Sequence, residues 1–111
     1  MTIQYKSDTF DLTTTNITTV LTCPADATIL VKSFQASHQT ASNVDVDAYL
    51  QKSGGSNVEI SHAQLNKSFT NMVSDTLNME ASDVLKIQAD TANQITGVVS
   101  YALLDRSQEN G

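Results

Sequence analysis

A chain of 111 residues has room for one domain and one modest core, and with 5% aromatic residues and no Trp that core has to be aliphatic. Charged residues make up only 16%, which excludes a coiled coil or a charged disordered tail, and 6 Lys and Arg against 12 Asp and Glu give a net charge of -6. Such a surface repels phosphate backbones and anionic lipid heads, so neither a nucleic acid nor a membrane is expected as a partner.

The chain opens with Ile3 and Tyr5 alternating with polar residues, a strand-like pattern too short to be stable alone. The expectation for residues 1–8 is an arm that extends an exposed sheet edge on a neighbouring subunit. Residues 9–12 and 17–22 read as strands separated by a Thr/Asn turn, and Pro24 stops the ladder after the second. Residues 29–36 are extended too, but the apolar phase moves from Ile29 and Val31 to Phe34 and Ala36, which predicts a bulge near Lys32 and Ser33. The clearest strand is the next one. Val44, Val46, Ala48 and Leu50 share one face, while Asp45, Asp47 and Tyr49 share the other. Gly54 and Gly55 supply positive-φ freedom for a hairpin, and Val58 and Ile60 return on one face.

Leu65, Phe69, Met72 and Val73 have no clean period, and the flanking Ser, Thr and Asn favour a short strand over a helical turn. Leu77 and Met79 form another short strand before a turn at residues 80–83. Leu85, Ile87 and Ala89 alternate, residues 90–93 turn, and Ile95 to Leu103 return as the partner of a second hairpin. Val98, Ala102 and Leu104 make the other face of this last strand apolar as well, which places it mid-sheet or against a partner. About eight strands with turns every eight to twelve residues predict an all-β fold, a single antiparallel β-sandwich or jelly roll.

Little in this pattern points to chemistry. Cys23 is the single cysteine, which rules out an intrachain disulfide, and with two His it cannot by itself close a zinc site. Before Pro24 it reads as a small buried hydrophobe. Asp45 and Asp47 could converge on a cation, but an exposed strand face accounts for them, and Tyr49 and Leu50 stand where a calcium loop needs an oxygen ligand and a glycine. His38 and His62 adjoin turn-like sequence and read as surface imidazoles, each without a second His three or four residues away. Gly54 and Gly55 lack the Lys and Ser/Thr of a phosphate loop. Tyr5, Tyr49 and Tyr101 could together form a sugar-stacking platform, although Tyr101 shares its face with Val99 and Leu103 and reads as core. The N-terminal residues lack the basic and apolar regions of an export signal, and no apolar run approaches the roughly 18 residues of a spanning helix. The expectation is assembly in a cytoplasm, which makes the glycosylation patterns at Asn16 and Asn66 accidental. No catalytic residue, metal ligand or cofactor is expected.

Three segments carry a resemblance: LTCPADATILVKSF from Leu21 to Phe34, MEASDVLKIQA from Met79 to Ala89, and GVVSYALLD from Gly97 to Asp105. In this order, across about residues 18 to 104, they resemble small β-sandwich virion proteins of tailed bacteriophages. Ser82 stands where that pattern favours Gly. The resemblance implies a non-enzymatic virion protein, a capsid decoration (cement) protein or a neck or tail accessory, and it carries over no catalytic residue. The expected partners are the major capsid protein or neck and tail proteins, together with further copies of the chain, a trimer among the candidate arrangements. On this reading residues 1–8 are an arm, 9–104 the sandwich and 105–111 a tail, and Ile3, Tyr5, Tyr49, Val98 and Leu104 are the expected interface residues. A carbohydrate-binding sandwich is the alternative.

Overall fold

The computed structural model describes residues 2–73 and 75–106; Met1, Ser74 and 107–111 lie outside the described residues, and with them most of the expected tail. The described residues form nine strands: β1 (Thr2–Leu12), β2 (Thr18–Thr22), β3 (Ala27–His38), β4 (Val44–Gln51), β5 (Asn57–Leu65), β6 (Ser68–Asn71), β7 (Leu77–Met79), β8 (Val84–Ala89) and β9 (Ile95–Asp105). The first sheet has the order β1-β9-β3-β6, with β7 also on β3; the second has the order β2-β8-β4-β5. All pairings are antiparallel. β6 and β7 pair with successive stretches of the same side of β3, so they act as one interrupted strand. Counted that way, the orders become 1-8-3-6 and 2-7-4-5, the two interleaved Greek keys of a jelly roll.

Alternation places the core between the sheets. β4 buries Val44, Val46 and Ala48 and leaves Asp45, Asp47 and Tyr49 on the outside. The expected bulge in β3 is present as a register shift between Val31 and Ser33, which lets Val31 and Phe34 both face inward although they are three apart. β9 lies mid-sheet between β1 and β3, with Ile95, Val99 and Tyr101 facing the core and Val98, Ala102 and Leu104 on the outer face. The β4–β5 hairpin also forms, with Gly54 at φ 76° in its turn. Val58 and Ile60, however, do not reach the core. The register slips between Ala48 and Tyr49, leaving Ile60 as the extra residue of a bulge, and both side chains stay exposed near the end of an edge strand.

Three further expectations are corrected. Residues 2–8 are not an arm: they are the first part of β1, each paired with β9 of the same chain from Thr2 opposite Asp105 onward. Two strands of eleven residues each satisfy their facing backbone groups this way, which a free arm could not. Residues 90–93 do not close a hairpin, because β8 and β9 belong to different sheets. The segment arches across the end of the sandwich, where Asn93, at φ 64°, donates its N–H to Leu12 O at 2.8 Å and Asp90 donates to Asp45 O at 3.1 Å. His38 is not on the surface. It continues the inward phase of Phe34 and Ala36 and is 1% exposed. Its Nδ1 lies 3.1 Å from Gln94 O and its Nε2 2.8 Å from Ser42 O and 3.1 Å from Ser42 Oγ, so the ring ties the β3–β4 loop to the start of β9.

At the other end of the sandwich Asp83 joins three segments. Its buried carboxylate accepts from Lys52 Nζ at 2.5 Å, from the Glu80 N–H at 2.9 Å and from the Ser53 N–H at 3.2 Å, while its carbonyl accepts from the Cys23 N–H at 2.9 Å. Burial pushes this carboxyl up, but the Lys52 bond and the two N–H groups outweigh it and hold it below the usual carboxylate range. Ser82, just before it, sits at φ 68°, a left-handed conformation that suits Gly. Asp83→Asn is expected to cost about 2–4 kcal/mol at neutral pH, since a charged acceptor of three bonds is lost. Because the folded-state pKa is depressed, the stabilisation is present above the unfolded carboxylate pKa and is lost as pH falls through the folded one. Urea unfolding of parent and variant from pH 7 downward should show the gap narrowing in acid; a constant gap would contradict the assignment.

Candidate functional site

Register partners in an antiparallel sheet share a face, so the outer surface of the first sheet follows from its pairings. Ile3 lies opposite Leu104, Tyr5 opposite Ala102 and Thr9 opposite Val98. Across β9, Ala102 also faces Leu30 of β3. The result is an apolar stripe over three strands, with Tyr5 82% and Ile3 53% exposed. Phe69, 70% exposed, stands on the same face at the far strand β6, opposite Ser37. Four of the five expected interface residues, Ile3, Tyr5, Val98 and Leu104, are thus gathered on one surface. Leu30 and Phe69 were not expected there. Leu30 is marked by the run Ile29, Leu30, Val31, which is apolar on both faces just as β9 is; Phe69 lies in the stretch that lacks a period.

The fifth residue, Tyr49, is on the opposite side of the molecule, the outer face of the second sheet, where its hydroxyl donates to Gln88 Oε1 at 3.2 Å. This face is acidic and polar. Asp47 and His62 are direct partners across β4 and β5, with Oδ1 2.5 Å from Nδ1. The bulge at Ile60 brings Glu59 to the same side, and donor atoms of Asp47, Glu59 and His62 lie within 4.8 Å of one another. The Asp47 hydrogen bond and charge hold His62 above the usual imidazole range. A hydrogen bond to Asp47, then burial, then the Asp47 charge raise Glu59. Asp45 does not join them: it accepts from Gln64 Nε2 at 3.1 Å. The nearby Lys86 bonds Gln51 and Asn57 instead of these carboxylates.

The remaining reactive side chains are dispersed. Cys23 is buried as expected, its thiol donating to Ala27 O at 3.3 Å, and burial followed by the Asp83 charge pushes its pKa up, away from a nucleophilic thiolate. Tyr101 is core, also as expected. Its hydroxyl donates to Asp8 Oδ2 at 2.9 Å, and burial together with that bond and the Asp8 charge pushes the phenol up to about 12. Tyr5, Tyr49 and Tyr101 therefore occupy one outer face, the other outer face and the interior, and they make no common stacking platform. No helix among the described residues is long and apolar enough to cross a membrane.

No protein-family model matches the chain, and no curated protein matches it in sequence. Solved structures do match in fold. One is a chain in the acid-stable capsid structure of the Helicobacter pylori bacteriophage KHP30, with a TM-score of 0.60 at 12% identity, over 96% of this chain and 90% of that one. At that identity the likeness is one of fold, and it extends along nearly the whole of both chains.

Proposed function

We propose that this protein is a non-enzymatic structural component of a tailed-phage virion, a decoration or cement protein on the outer shell. The observation that carries this reading is the fold shared over 96% of the chain with a chain of a phage capsid structure. Apart from the Asp47, Glu59 and His62 cluster on the outer face of the second sheet, the nucleophilic and titratable residues are dispersed, which supports a structural role over a catalytic one. The contrast between the outer faces supports an orientation. The apolar stripe of the first sheet meets the major capsid protein, and the acidic face of the second sheet points to solvent, where its charge keeps particles apart. The net charge of -6 favours the exterior, away from packaged nucleic acid.

Purified protein added to particles that lack it is expected to sediment with them. Leu104→Asp, on the apolar stripe, should weaken that binding about tenfold or more, whereas Tyr49→Ser, on the opposite face, should leave it unchanged. Circular dichroism melting of both variants checks that the fold is kept. Equal binding by both variants would remove the stripe from the contact, and absence of any binding would contradict the decoration role.

A further inference from the structure

A sheet edge presents unpaired backbone groups to any other strand, and folded proteins blunt such edges by shortness, bulges, Pro, or charged side chains, Lys and inward-pointing charges above all. Three edges of this sandwich are blunted. β2 has five residues and a register break between Thr19 and Leu21. β5 carries the Ile60 bulge. β6 and β7, of four and three residues, divide their edge between them. β1 is different. Its eleven residues run in unbroken register with β9, contain neither Pro nor Gly, and pair with no described strand on their other side; the inward charges it does carry, Lys6 and Asp8, are of opposite sign and can pair with a second copy.

The central stretch of β1, residues 5–9, is also self-complementary about the strand midpoint, Ser7. An antiparallel two-fold pairing of β1 with β1 of a second copy, centred on Ser7, uses the full length of the strand. It sets Lys6 of each copy opposite Asp8 of the other, so two opposite-charge pairs form at the centre. It also sets Tyr5 opposite Thr9 of the second copy, an aromatic and β-branched pair. Moving the axis by one residue to either side would instead set Lys6 against Lys6 or Asp8 against Asp8. A shift of half a residue would turn the inner face of one copy onto the outer face of the other.

We infer that two copies of this chain associate edge to edge through β1, in antiparallel register about Ser7, joining their first sheets into one. The pairing satisfies the open row of N–H and C=O groups and carries the apolar outer stripe across the seam. It concerns self-association alone and does not depend on the virion reading.

Sedimentation equilibrium of the full chain tests it. The wild type should be a dimer. Lys6→Asp should raise the dissociation constant about tenfold or more, because it sets acid against acid at both central pairs. Combining Lys6→Asp with Asp8→Lys should restore dimerisation, with circular dichroism melting confirming that each variant is folded. A monomeric wild type, a dimer indifferent to Lys6→Asp, or a double variant that stays dissociated would each overturn the inference. A monomer still found on particles would leave the proposed function standing, and a dimer absent from particles would leave the seam standing without that function.

Discussion

Gly97→Val should destabilise the protein by about 3 kcal/mol or more. Gly97 lies on the inward face of β9 between Ile95 and Val99, where alternation calls for a side chain. The space is already taken. A Cβ built there would come 2.3 Å from Phe10 Cζ and 2.0 Å from Gln35 O, and the second contact is with backbone that cannot swing aside. Phe10, the register partner of Gly97 on β1, lays its ring over the glycine and meets Phe34 edge to face, with centroids 5.6 Å apart and planes at 75°. The glycine thus lets one of the few aromatic side chains cross the sheet surface and anchor the edge strand to the core. The thermal midpoint should fall by more than about 10 °C. An unchanged midpoint would mean that Phe10 does not pack on β9.

Val99→Asp should abolish the folded state. Val99 is fully buried, with Asp8 on one side and Phe34 on the other as its register partners. A carboxylate there would find no donor, and it would stand near the Asp8 carboxylate that Tyr101 already engages. An unpaired buried charge costs several kcal/mol against a total stability of about 5–15 kcal/mol. Far-ultraviolet circular dichroism should show an unfolded chain at 25 °C. A variant that melts like the parent would show that the centre of β9 is not core.

What the sequence reveals here is governed by period, and what it hides is governed by pairing. Two-residue alternation is a local property, so the faces of β4, the two-sided β9 and even the slip at Lys32 and Ser33 can be read directly from residue order. Partner choice is not local. Residues 90–93 carry the same turn chemistry whether the chain folds back on its neighbour or crosses to the other sheet, and here Leu12 O and Asp45 O at the end of the sandwich take up the N–H groups of Asn93 and Asp90. The first eight residues look weak in isolation because their stabilising strand, β9, is nearly the whole chain away. His38 was legible in principle, since it extends the inward phase of Phe34 and Ala36, but a polar residue beside a turn argues for the surface until its buried acceptors are seen. The same separation applies to function. Apolar residues on the second face of a strand, as at Leu30, Val98 and Leu104, mark a surface worth covering, whereas the cluster of Asp47, Glu59 and His62 depends on a bulge that shifts Glu59 by one residue and has no signature in spacing.

The proposed structural role in a virion is tested by the protein's abundance in particles. Density-gradient-purified virions should contain the protein, and quantitative gel or mass-spectrometric analysis should find it at a copy number comparable to that of the major capsid protein. A copy number small and matched to the tail or neck would move it to those positions within the virion. Its absence from purified particles, with the protein present in the infected-cell lysate, would contradict that role.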